Sequence, residues 1–319
     1  MKKVISILTC LCLLMTTGCS RQETIRFGAA GVGGMYYPFA NAFTELASKD
    51  ETGINWKVKS TAGSAANLRL LSDNYIELGI AQADLIEDAY YGKGSFHSGK
   101  YRGYKAVASL YPEACQIVVR KDSDITSLDD LEGKNVSVGE EESGTERNAT
   151  QILEMCGLPD NLVNTKNLDY TDAADQLAEK KIDAFFCTAG ICTTVIEELT
   201  KECDIRLLEI PESCRQKLKK AYSFYDDYVI PAGTYSGQTE DIQTISVQSV
   251  LLASSTLSEK TVQKLTASLF QHIKDIQYSI SINLQLTPQE AVKGITIPFH
   301  PGAEAYYKLE GVELPEVES

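Results

Sequence analysis

Gly28-Ala29-Ala30-Gly31-Val32-Gly33-Gly34-Met35-Tyr36-Tyr37-Pro38 is the stretch from which the rest of the chain can be read. The run Ile25 to Gly28 before it has the pattern of a short strand, and Pro38 suits the first turn of a helix, where its missing N–H costs nothing. Gly33 and Gly34 leave room for a small anion to approach the N–H groups that a helix start leaves unpaired, with Tyr36 and Tyr37 beside the opening. A dinucleotide fingerprint would need glycine where Tyr36 stands, so that reading fails on spacing. The alternative is a glycine turn that only packs a helix on a sheet.

The same strand-to-helix order recurs along the chain. Trp56 to Ser60 alternates as a strand and ends in Thr61-Ala62-Gly63-Ser64, with Ser64 as the N-cap of a helix from Ala65 to Ser72. Leu78 to Ala81 passes through Gln82-Ala83-Asp84 into a helix ending near Gly92. Further on, strands at Asn135 to Gly139, Lys166 to Asp169 and Ile182 to Phe186 each lead into a helix. Such alternation predicts mainly parallel sheets flanked by helices, with ligands at the carboxyl ends of the strands. Between these two halves, Ala106 to Leu110 and Cys115 to Arg120 read as separate strands around Tyr111-Pro112-Glu113, and the polar run after Lys121 as a crossing. Tyr222 to Gly237 reads as the return. Ile245 to Ser254 is a strand, Ser258 to Gln277 one long helix capped by Ser258, and Pro288 to Val292 a short helix.

Met1-Lys2-Lys3 and the apolar run Val4 to Met15 have the pattern of an export signal, residues 1–18. Thr16-Thr17-Gly18-Cys19 resembles a bacterial lipobox, with Thr16 where leucine is usual, so Cys19 is the expected lipidation site and the mature chain an extracytoplasmic protein held to the cell membrane by lipid. The apolar run is too short for a spanning anchor. The formal charge of −14 becomes −16 without Lys2 and Lys3. So acidic a chain has no electrostatic footprint for nucleic acid or anionic lipid. About 300 mature residues exceed a single core, so two domains are expected.

Six cysteines follow Cys19: Cys115, Cys156, Cys187, Cys192, Cys203 and Cys214. Export permits disulfides, Cys187 with Cys192 and Cys203 with Cys214 being nearest in sequence; packing as buried thiols is the preferred alternative in a chain this long. Their spacing lacks C-x-x-C and the three histidines lie far away, so no metal site is expected. There is no G-x-S-x-G, no H-E-x-x-H and no P-loop, which argues against an enzyme, and nothing calls for a cofactor. Ser143-Gly144-Thr145-Glu146 reads as a capping box, Ser143 bonding the N–H of Glu146 and Glu146 reaching back to that of Ser143. Gly144 and Thr145 then remain to face a ligand opposite the Gly33-Gly34 turn. Arg69 and Arg147 are the nearest basic residues for a carboxylate, and Glu140-Glu141-Glu142 reads as a solvated charge run.

Taken in order, Gly33-Gly34-Met35-Tyr36-Tyr37-Pro38, Ser60-Thr61-Ala62-Gly63-Ser64, Asn67-Leu68-Arg69-Leu70-Leu71, Gln82-Ala83-Asp84, Ser109-Leu110-Tyr111-Pro112-Glu113, Gly133 to Gly139, Ser143-Gly144-Thr145-Glu146, Pro231 to Tyr235 and His300 to Glu304 resemble the TAXI-type solute-binding proteins of tripartite ATP-independent periplasmic (TRAP) transporters. The resemblance covers nearly all of the mature chain; Glu140-Glu141-Glu142, Cys187 and Cys192 depart from the usual pattern. It implies an α/β, two-lobed type II periplasmic-binding-protein fold, each lobe a mainly parallel sheet flanked by helices. Lobe I would comprise residues 24–118 and 228–319, and lobe II residues 119–227. It further implies a monomer that captures a small organic anion such as glutamate, 2-oxoglutarate or a related dicarboxylate, and delivers it to TRAP membrane subunits. An ABC-type binding protein or a ligand-presenting sensor subunit is the alternative. The candidate ligand-binding residues are Gly33, Gly34, Tyr36, Ser64, Asn67, Gln82, Ser143, Gly144, Thr145, Glu146 and Gly190.

Overall fold

The computed structural model describes residues 23–50, 53–159, 161–280, 282, 284 and 286–317. The expected signal segment and Cys19 lie outside the described residues. Strands β1 (Glu23–Gly28), β2 (Ile54–Lys59) and β3 (Leu78–Gln82) lead into helices α1 (Tyr36–Asp50), α2 (Ser64–Ser72) and α3 (Ala83–Tyr91). After β4 (Tyr104–Arg120) the plan repeats, with β5 (Asn135–Ser137), β6 (Asn164–Lys166) and β7 (Ala184–Ala189) leading into α4 (Gly144–Met155), α5 (Tyr170–Ala178) and α6 (Thr194–Glu202). The chain goes on through β8 (Ile205–Leu207), α7 (Glu212–Ala221), β9 (Asp226–Ile230) and β10 (Ile242–Ser254), and ends with α8 (Glu259–Gln271), α9 (Ile273–Ile280) and α10 (Pro301–Leu309).

Strand directions explain why the two halves face each other. β2, β1 and β3 are parallel; β3 is antiparallel to β10, and β10 to β4, so β4 runs the same way as β1 and β3. β4 starts against β10 in the first half and ends antiparallel to β7 in the second, where β7, β5 and β6 are parallel. The parallel strands of each half therefore point their carboxyl ends at the other half. Six helix N-termini follow them to the same cleft.

Tyr111-Pro112-Glu113 does not separate two strands: β4 is one strand of 17 residues that passes from one half to the other. Pro112 has no N–H for the ladder, and the register with β10 shifts between Gln248 and Val250, so the pairing absorbs the proline at an irregularity. The return crossing also lies inside a strand. β9 and the first part of β10 pair with each other, and Ile230, Tyr235, Ile245 and Val247 pack in the cores of the second half. Only from about Val250 does β10 join the core of the first half, so the expected boundary at 228 is some twenty residues early. The Tyr222–Gly237 stretch, rich in tyrosine, proline and glycine, resembles a linker because β9 is an edge strand.

Alternation along β4 builds the second half. Cys115, Ile117 and Val119 face one core cluster and Ala114 and Val118 the other, as a strand buried on both faces requires. Cys203 and Cys214 lie on opposite faces of this sheet, so this sequence-nearest pair is not a spatial one; the six cysteines are free thiols. The long helix expected to Gln277 breaks at His272, whose Nε2 lies 2.9 Å from Asp50 Oδ2 at the end of α1. Ser258 caps α8 as expected, its hydroxyl accepting the N–H of Thr261. Pro288 to Val292 forms turns rather than a helix.

Candidate functional site

All six strand-to-helix turns, and one residue of the crossing strand β4, line a single cavity between the halves. Ala30, Gly31, Gly34, Met35 and Tyr36 come from the first turn, Gly63 and Ser64 from the second and Gln82 from the third. Facing them are Glu140, Ser143, Gly144 and Thr145, then Asp169 and Tyr170, then Thr188 and Ala189. Glu113 comes from β4. The cavity is small, with about 50 Å³ open to the centres of water-sized groups. That is more than one water needs and suits a ligand of a few heavy atoms.

Glu113 forms the floor. It is 2% exposed; Tyr36 donates its hydroxyl to Glu113 Oε2 at 2.9 Å, and Gln82 donates Nε2 to the same oxygen at 3.2 Å. Burial pushes the Glu113 carboxyl up to about 8, against the opposing pull of those two hydrogen bonds. Gln82 is held from behind. Ser64 accepts the N–H of Gln82 at 3.2 Å, which fixes the start of α2 to the end of β3. Ser64 was expected to cap α2; that helix begins at Ser64 itself, with Gly63 before it and no side-chain cap.

On the other wall, Thr145, Tyr170 and Thr188 close a ring of hydrogen bonds. Tyr170 donates to the carbonyl of Thr188 at 3.0 Å, so the 2.5 Å contact between Tyr170 and Thr145 is donated by Thr145. Thr145 in turn accepts the N–H of Thr188 at 3.2 Å. Ser143 caps α4 as expected, accepting the N–H of Glu146 at 3.0 Å, but Glu146 reaches the N–H of Glu142, at 2.9 Å, rather than that of Ser143. Ser143 N–H instead bonds the carbonyl of Glu140 at 3.0 Å, in the turn that precedes the helix.

The two halves are joined across the cleft. The N–H groups of Ala65 and Ala66, at the start of α2, both point at the carbonyl of Glu142, at 3.1 and 3.4 Å. Val195 N–H, at the start of α6, bonds the carbonyl of Gly33 at 3.2 Å. Two of the helix starts suited to an anion thus receive carbonyls from the opposite half. The arginines are engaged too: Arg69 pairs with Glu142, while Arg147 lies 3.0 Å from Asp84 Oδ2 and 2.5 Å from Asp88 Oδ2. Asp84 is fully buried, and that burial, only partly offset by Arg147, raises its carboxyl to about 6. Gly144 serves the same approach: a Cβ there would lie 2.2 Å from Gln82 Oε1. A Cβ at Gly34 would lie 3.1 Å from the Tyr170 ring. The glycines let the halves meet.

Of the expected ligand-binding residues, Gly34, Tyr36, Ser64, Gln82, Ser143, Gly144 and Thr145 line the cavity. Gly33, Asn67, Glu146 and Gly190 do not. Asn67 is fully buried and donates Nδ2 to the carbonyls of Gly28 and Ile80, tying the ends of β1 and β3 together. Glu146 also accepts from Asn167 at 3.0 Å, and the Gly190 carbonyl accepts the Thr193 hydroxyl at 2.6 Å. Arg69 and Arg147 were considered as carboxylate clamps; neither reaches the cavity, because carboxylates on the opposite half hold both. Glu113, Glu140, Asp169 and Tyr170 were missed as lining residues. The available signal was a lone carboxylate, Glu113, between two strongly apolar strand runs.

Among the described residues no three His, Cys, Asp or Glu side chains are placed to hold a metal ion, and no helix is long and apolar enough to cross a membrane. The model of the NMT1-like family matches residues 27–311. The chain is similar in structure to PhnD1 from Prochlorococcus marinus in complex with methylphosphonate, at a TM-score of 0.57 and 12% identity over 82% of this chain and 92% of that one. A binding protein component of an ABC phosphonate transporter from Pseudomonas aeruginosa gives 0.52 and 13%, over 82% and 80%. The alkanesulfonate-binding protein SsuA from Xanthomonas axonopodis pv. citri bound to MOPS gives 0.51 and 15%, over 90% and 83%. At these identities the likeness is one of fold, and the expected two-lobed type II architecture stands.

Proposed function

We propose, from the premise that the chain belongs to the NMT1-like family, that it is an extracytoplasmic solute-binding protein whose lobes close on one small molecule and present it to a membrane transporter. The observation that carries this reading is the convergence of six strand-to-helix turns, three from each lobe, on one small cavity at the crossing strands. Such turns place N–H groups, hydroxyls and carboxylates around a solute without committing any of them to bond breaking. No histidine lines the cavity to serve as a base for its serine hydroxyls, which supports binding rather than turnover as the reading. Cys19, if lipidated, would keep the mature protein at the membrane.

Delivery to an ABC transporter is the reading supported by the Pseudomonas neighbour, which is itself such a component. The ordered motifs from Gly33 to Glu304 favour a TAXI-type partner of a TRAP transporter instead. The gene beside this one discriminates: an ATPase supports the first, an ion-coupled membrane subunit the second. Binding itself is tested by small-angle scattering of the mature chain while small polar solutes are added. A solute that raises the melting temperature and leaves the chain in its compact form supports the proposal, because a ligand that binds only the native state stabilises it. Steady consumption of that solute would overturn it in favour of an enzyme.

A further inference from the structure

We propose that the solute carries a positive charge, as a small protonated amine or guanidinium, and not the carboxylate or phosphonate that helix starts in a cleft would suggest. This rests on the cleft being the solute site. Glu113, Glu140 and Asp169 line the cavity, and no Lys, Arg or His is among its lining residues. The arginines beside it are held by Glu142, Asp84 and Asp88. An anion would therefore face the carboxylates of Glu140 and Asp169 and the buried carboxyl of Glu113, with no side-chain cation to offset them.

Part of the backbone is already committed: the N–H groups of the lining residues Gly34, Gln82, Ser143 and Thr188 are donated to oxygens of the protein, as are those of Ala65, Glu146, Asp172 and Val195 at the neighbouring helix starts. One buried acceptor, by contrast, is unused. Gln82 is 2% exposed, lines the cavity and gives its Nε2 to Glu113, yet its Oε1 is buried with no hydrogen-bond partner among the described residues. A buried acceptor without a donor is costly, and a ligand N–H would satisfy it. Glu140 and Asp169 add carboxylate oxygens at the other wall.

Two features favour an organic cation over a metal ion. The carboxylates stand around the cavity without converging, so no group of three is placed to ligate one ion. Tyr36 and Tyr170 also line it, and aromatic rings beside an ammonium or guanidinium are a recurring arrangement for such ligands. The size of the cavity limits the cation to a few heavy atoms.

The test is a thermal-shift and calorimetric comparison on the mature chain, using ethanolamine, 1,3-diaminopropane and methylguanidinium against succinate, 2-oxoglutarate and methylphosphonate. At least one cation should raise the melting temperature by about 3 °C or more at saturation, and the anions should not. Glu140→Gln, on the partly exposed wall, should weaken that cation at least tenfold, and Glu113→Gln should do the same from the floor. Binding of an anion in place of the cations would overturn this inference while leaving the solute-binding reading intact. Silence from both classes would overturn it together with that reading. Cation binding unchanged within twofold in both variants would show that the carboxylates do not hold the ligand, which also overturns it.

Discussion

The rim and the floor of the cleft carry the same kinds of side chain and treat them oppositely. At the rim, carboxylates that cross between the lobes meet guanidinium groups: Glu142 meets Arg69, and Asp84 and Asp88 share Arg147. At the floor Glu113 has only the neutral groups Tyr36 and Gln82. The same acidic chain has placed its nearest cations where they hold the lobes together and left the floor without one. Position in the cleft, rather than net charge, therefore decides what each carboxylate does.

The largest expected effect concerns the floor. Burial raises Glu113 from 4.5 to about 8, so the folded chain holds this proton more tightly than the unfolded chain does. Below pH 4.5 both forms are protonated and nothing is lost; between pH 4.5 and about 8 the unfolded chain releases this proton while the folded chain keeps it, so stability falls, and the loss is complete above about pH 8. At about 1.4 kcal/mol per pKa unit, the upper bound is about 4 to 5 kcal/mol. Glu113→Gln has no proton to lose. Urea unfolding of the ligand-free chain between pH 5 and pH 9 should show the variant gaining on the parent as pH rises, and parallel curves would remove the contrast between floor and rim.

Next comes Arg147. Arg147→Met leaves Asp84 buried without its cation in the closed form, at a cost of about 3 to 5 kcal/mol. Asp84 recovers water if the lobes part, so the variant should show a larger radius of gyration by small-angle scattering with little loss of secondary structure. Adding Asp84→Leu removes the stranded charge and should return the compact form. A single variant as compact as the parent would show that the pair does not hold the lobes.

Arg69 is the smallest case. Its pair with Glu142 is part-exposed, with 31% and 47% of the two side chains open to solvent, and such pairs contribute about 0 to 1 kcal/mol. Arg69→Met should move the melting temperature by no more than about 2 °C, with the difference shrinking in high salt. A shift as large as that of Arg147→Met would make the rim uniform.

The turns were legible because their signals are local. A strand pattern, a glycine or serine and a helix pattern fall within a few residues of one another at Gly28 to Pro38 and at Val138 to Glu146. Tyr36, Ser64, Gln82 and Thr145 could be placed near the cleft on that basis. Glu113 could not, because Pro112 looks like a break until β10 is set beside it and the irregular register near Gln248 lets the strand run on. The engagement of Arg147 was hidden for another reason. Its partners Asp84 and Asp88 lie on a helix of the other lobe, 59 residues away in the case of Asp88, and no local pattern encodes that meeting. Gly144 has a second role that the sequence does not show: it lines the cavity, and its missing side chain also makes room for Gln82 of the other lobe.

The lobes are joined by β4 and β10 lying side by side and hydrogen-bonded to each other through the crossing. A pair of bonded strands bends but does not stretch, so if the cleft opens, Asp84 and Arg147 stay within a short swing of one another. Each lobe acts as a tethered partner of the other, and the local concentration of one rim at its mate is set by the tether rather than by how much protein is present. Contacts too weak to hold two separate molecules would then suffice to bring the cleft shut, and loosening the ribbon at Pro112, next to the floor residue Glu113, would weaken closure through the tether rather than through the rim pairs.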